Sequence, residues 1–99
     1  MIFFNVPEAR DQLMEKGIVY TLRSSTRAVG RTRAVTGGYY EHSLLCLVDV
    51  QKVGPISHPD DLYPYVDQSG FKNVDIWMSK ATTSARTLYR VTKLEEGVQ

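Results

Sequence analysis

The run SLLCLVDVQKV, from Ser43 to Val53, sets the frame for the rest of the chain. Leucine and valine dominate it, and Asp49 is its one acid. It is far shorter than the ~18–20 residues of a membrane-crossing helix. It reads as a strand, with the apolar density of one covered on both faces. Such a strand needs partners at its sides and layers above and below. The remaining apolar segments must supply them.

IFF (Ile2–Phe4) reads as a short strand. Asn5 is placed to cap a helix, with Pro7 in the first turn and Glu8 three residues on. Val6, Ala9, Leu13 and Met14 recur at helical spacing and Gly17 is a stop, so residues 6–16 read as a short amphipathic helix. IVYTLR (Ile18–Arg23) is β-branched and aromatic, a second strand. SSTRAVG is a loop, and RTRAVT (Arg31–Thr36) is a third strand. Its alternation puts Thr32, Ala34 and Thr36 on one face and Arg31, Arg33 and Val35 on the other. GPISHPDD is a turn and helix entry, with Ser57 and Asp60 at capping-box spacing. Pro64 limits LYPYVDQ to one or two short turns. Asn73 caps a further helix whose inner stripe is Ile76, Trp77, Lys80 and Ala81. Arg86–Leu94 is a last strand and residues 95–99 are a frayed tail.

The order is β-α-β-β-β-(α)-α-β. Strands and short helices do not alternate regularly, which disfavours a doubly wound parallel sheet. The expected class is α+β: a small mixed β-barrel with two or three short helices, in a single domain over residues 1–94.

Net charge is +1, but charge is unevenly spread. Lys16, Arg23, Arg27, Arg31 and Arg33 fall between Lys16 and Tyr40 with no acid among them. Glu41 to Asp75 holds six acids against Lys52 and Lys72. Local charge is what a phosphate feels. Arg31 and Arg33 share a strand face about 7 Å apart, a spacing suited to successive phosphates. Planar guanidinium groups bind phosphate bidentately, and Tyr20, Tyr39 and Tyr40 are near enough in sequence to stack on bases. The competing readings are a solvated basic loop paired with the acids of residues 41–75, and a protein-binding surface.

At this point KGIVYTLR, SGFKNVDIW and TLYRVTKL together resemble the ASCH domain of the PUA-like β-barrel superfamily, over residues 8–94. The family motif is G-x-K-x-x-x-x-R. Gly17, Thr21 and Arg23 match it with one residue fewer between glycine and arginine. The motif lysine is absent: Ile18 and Val19 stand in its place, with Lys16 before the glycine. The resemblance implies a PUA-like barrel with Thr21 and Arg23 facing a cleft between barrel and helices. It implies RNA or nucleotide binding, or hydrolysis of acylated nucleosides with Thr21 as nucleophile. A threonine needs a neighbouring base to attack anything.

The expected function is therefore RNA or nucleotide binding through an arginine-rich cleft. Arg23, Arg27, Arg31, Arg33 and Lys16 would hold phosphate, and Tyr20 and Tyr40 would stack. Alternatives are a small amidohydrolase using Thr21, and an interaction domain without a nucleic-acid ligand. Asp49 interrupts an apolar strand and calls for a cationic partner such as Arg23, Arg33 or Arg90; Glu41 is the other candidate acid. His42, Cys46 and His58 lack metal-ligand spacing, so no metal or cofactor is expected. Trp77 reads as core with Phe71 and Ile76. One cysteine excludes an internal disulfide, and Cys46 among leucines predicts a reduced thiol and a cytoplasmic protein. No membrane span or signal peptide is expected.

Overall fold

Pro7 and Gly17 bound the first helix, each for a local reason. The computed structural model describes residues 1–24, 29–81 and 87–94, and helix α1 spans Pro7–Lys16. Pro7 occupies the first turn, where its missing donor costs nothing. Gly17 ends the helix at φ 82° and donates its N–H to the Leu13 carbonyl.

The start of α1 departs from the sequence reading. Its N-cap is Val6, which makes no side-chain cap bond. Asn5 has been drawn to a partner across the fold. Its Oδ1 accepts from the Gly37 N–H at 2.7 Å and from the Thr36 hydroxyl at 2.9 Å. Its Nδ2 donates to the Gly37 carbonyl at 2.9 Å. Three long-range bonds outweigh one cap bond. Asn5→Ala is expected to cost about 1–2 kcal/mol, since each net hydrogen bond contributes roughly 0.5–1.5 kcal/mol. Urea midpoints measure the loss, and hydrogen exchange at the Gly37 amide localises it.

Five strands form one mixed sheet: β1 (Ile2–Phe3), β2 (Ile18–Arg23), β3 (Gly30–Gly37), β4 (His42–Pro55) and β5 (Thr87–Lys93). Their order in space is β1-β3-β4-β5-β2. β1 and β3 are parallel and the other pairs antiparallel. A 3₁₀ segment (Pro59–Gln68) and helix α2 (Val74–Lys80) lie between β4 and β5, so the element order is the one read from the sequence. Pro64 falls inside the 3₁₀ segment, where a regular α-helix would lose a bond. Its entry lies one residue later than expected. Asp61 Oδ2 accepts from the His58 N–H at 3.2 Å, and His58 Nδ1 accepts from the Asp60 N–H at 3.1 Å.

The twisted sheet curls into a half-barrel. β1 and β2 are its two edges, yet the curl brings their ends together. The Arg23 guanidinium, at the end of β2, lies 4.9 Å from the centroid of the Phe4 ring just past β1.

Two cores hold the layers. On the concave face Val19, Ala34, Cys46, Val48, Tyr89 and Val91 pack against Leu13 of α1 and against Phe4. On the other face Leu22 and Leu88 pack with Leu62, Val74 and Trp77 from the 3₁₀ segment and α2. No described helix packs over the outer face of β4 at Leu44 and Leu47, which are 59% and 43% exposed. The expectation that Ser43–Val53 is covered on both faces is therefore corrected. Apolar density reports what a strand can bury, not whether a second layer reaches it. The register with β4 slips between Ala34 and Val35, and the extra residue, Leu45, lies on β4. Val35 pairs with Phe3 on one side and Leu44 on the other, and it is 2% exposed although Arg33 two residues earlier is exposed. Arg27, Arg86 and the tail 95–99 lie outside the described residues. Among the described residues no helix is long and apolar enough to cross a membrane.

Candidate functional site

Alternation along β2 turns Thr21 and Arg23 to the concave side and Leu22 to the other. Where the sheet edges approach, the end of β2 opens a cleft of about 260 Å³. Phe4, Val6 and Ala9 line it from the β1–α1 segment, and Phe71, Trp77 and Ala81 line it from α2 and its flanks. Phe71 and Trp77 lie nearly parallel, with ring centroids 6.4 Å apart and planes 18° from each other. Asn5, Thr21, Arg23, Ser24 and Lys80 supply its polar atoms.

The electrostatics of this lining are one-sided. Arg23 and Lys80 are cations, and the described lining residues include no aspartate or glutamate. Thr21 is 8% exposed and lines the cleft. The Arg23 guanidinium lies over the Phe4 ring in a cation–π contact, 4.9 Å from its centroid. Low-dielectric aromatic walls strengthen the pull of both cations on an anion inside.

The residues singled out in the sequence are divided among several places. Arg23 and Thr21 line the cleft. Arg31 and Arg33 are exposed on the outer face of β3, opposite Asp49 and Leu47 of β4. β4 and β5 stand between β3 and β2, so these arginines do not join Arg23 in a single arginine-rich cleft. Asp49 is half-exposed on that same outer face, with Arg31 as its cross-strand neighbour, rather than a buried acid. Lys16 is exposed in the last turn of α1, where a cation complements the helix carbonyls. Tyr20 is half-buried against Tyr65, with ring centroids 4.8 Å apart. Tyr39 and Tyr40 project from the β3–β4 hairpin. Glu41 is exposed in the same hairpin.

Cys46 is buried on the concave face, and His42 Nδ1 lies 3.1 Å from the Tyr39 carbonyl. Among the described residues, no group of three or more His, Cys, Asp and Glu side chains is arranged to hold a metal ion.

Sequence reasoning missed Asn5 and Lys80 as cleft residues and took Trp77 for core alone. Trp77 is both: it is 2% exposed and it lines the cleft. Lys80 follows Trp77 by three residues, the helical spacing that sets both on one side of α2. That spacing was the available signal. No family model, curated protein or solved structure matches the chain.

Proposed function

We propose that the cleft binds a nucleotide, and that the half-barrel is of the PUA-like type implied by the ASCH resemblance. The observation that carries the reading is the lining: aromatic walls, two cations and no described carboxylate. A base packs against the apolar lining, and its phosphate reaches Arg23 and Lys80. The volume of about 260 Å³ suits a single nucleoside unit rather than a duplex. Thr21 then serves as a hydrogen-bonding group to the base or sugar. Hydrolysis would ask more of it: a neighbouring base to take its proton.

Trp77 is the single tryptophan of the chain and lines the cleft, so its emission is a probe of the site. Titration with each of the nucleoside 5′-monophosphates is expected to change that emission, with inorganic phosphate binding far more weakly. Arg23→Ala is expected to weaken binding by about 10- to 100-fold, because a hydrogen bond to a charged group contributes roughly 1.5–3 kcal/mol. Binding should also weaken as salt rises. An unchanged affinity in Arg23→Ala, or no response to any of the four nucleotides, would remove the reading.

A further inference from the structure

The β3–β4 hairpin presents two large aromatic rings to water. Tyr39 is 73% exposed and Tyr40 93% exposed, and their rings meet edge to face with centroids 5.0 Å apart. Solvating this much aromatic surface gains the fold nothing, yet the backbone beneath it is firmly held. The Gly38 N–H donates to the Glu41 carbonyl at 2.7 Å. His42 Nδ1 reaches the carbonyls of Gly38 at 3.3 Å and Tyr39 at 3.1 Å. Asn5 ties Gly37 from the other side.

The hairpin is also joined to the cleft by two independent links. Asn5 lines the cleft and grips Gly37. Phe3 lines the cleft and meets the His42 ring edge to face, with centroids 5.7 Å apart. Gly37 and Tyr40 are three residues apart, a backbone span of at most about 11 Å. The tyrosines thus stand on a hairpin that is tied to two residues of the cleft lining.

We propose that the cleft takes one nucleotide of a single-stranded nucleic acid and that the base of a neighbouring nucleotide stacks on Tyr39 and Tyr40. This rests on the nucleotide reading of the cleft. Every base has a π-face, so such a platform accepts any sequence. Holding the hairpin backbone in advance removes part of the ordering cost of binding.

The test compares a mononucleotide with trinucleotides of ribose and of deoxyribose, in the intact chain and in the Tyr39→Ala/Tyr40→Ala double variant, all read by Trp77 emission. The trinucleotides are expected to bind about tenfold more tightly than the mononucleotide or better. The double variant is expected to lose that gain and keep its mononucleotide affinity. Tyr40→Phe, which keeps the ring, should retain most of the gain. The ribose and deoxyribose arms identify which nucleic acid is preferred. Trinucleotides that bind no better than the mononucleotide, or a gain that survives the double variant, would overturn the stacking proposal and leave the cleft reading standing. A double variant that loses mononucleotide affinity equally would also overturn it. If no nucleotide of any length changes Trp77 emission, the cleft reading fails first and the proposal with it.

Discussion

Gly70→Ala is expected to destabilise the fold by about 3 kcal/mol, a large share of the roughly 5–15 kcal/mol of a whole domain. Gly70 adopts φ 89°, and a Cβ built there would lie 2.2 Å from the Glu8 carbonyl oxygen and 3.1 Å from the Gln12 Cβ. The obstacle is backbone in the first turn of α1, which cannot rotate away as a flexible side chain could. The segment leading into α2 can approach α1 this closely only because position 70 carries no side chain. Gly17→Ala separates the two contributions. Gly17 has a similar φ of 82° but nothing within 4 Å of its virtual Cβ. It should lose only the left-handed backbone penalty of about 1–2 kcal/mol. Urea denaturation of both variants gives the difference, which is the cost of the close approach. Equal losses in the two would show that the helix–segment contact is not tight.

Trp77→Ala is expected to cost about 3–5 kcal/mol, the usual range for emptying a large buried aromatic site. Trp77 is 2% exposed and packs in the core that joins β2 and β5 to the 3₁₀ segment and α2. The same ring forms a wall of the cleft beside Phe71. Stability and ligand affinity should therefore fall together, and calorimetric titration reads the affinity once the fluorophore is gone. Trp77→Phe keeps an aromatic plane and is expected to recover most of both. A variant at Trp77 that lost stability and bound a mononucleotide unchanged would show that the wall contributes nothing to the ligand.

Segments whose signals are local were legible in the sequence. Pro7, Gly17 and the apolar positions between them define α1 without reference to the rest of the chain. β2 was read with its observed limits, Ile18 to Arg23, because a glycine and a polar loop bracket a β-branched run. What failed depended on distant partners. Asn5 looks like a cap until Gly37 is brought beside it. Ser43–Val53 looks doubly covered until the helices prove to lie elsewhere.

The site followed the same division. Arg23 could be singled out from its motif, and it lines the cleft. The arginines near it in sequence could not be sorted, because proximity along the chain says nothing about sheet order. With β4 and β5 inserted between β2 and β3, neighbours in sequence become residents of different surfaces. Lys80 comes from the opposite direction, more than half the chain away from Arg23, and meets it only in the closed fold.

The position of β5 bears on how the chain can be made. It pairs with β4 on one side and β2 on the other, so the last of the five strands in chain order lies inside the sheet. On a ribosome adding roughly 5–20 residues per second, β2 leaves the tunnel several seconds before its partner. The β3–β4 hairpin can form in that interval, but Val19 and Leu22 have no sheet to join. A nascent chain arrested before Thr87 would hold those side chains in reach of any passing chaperone. Release of Lys93 lets β5 join β2 to the rest in a single late step.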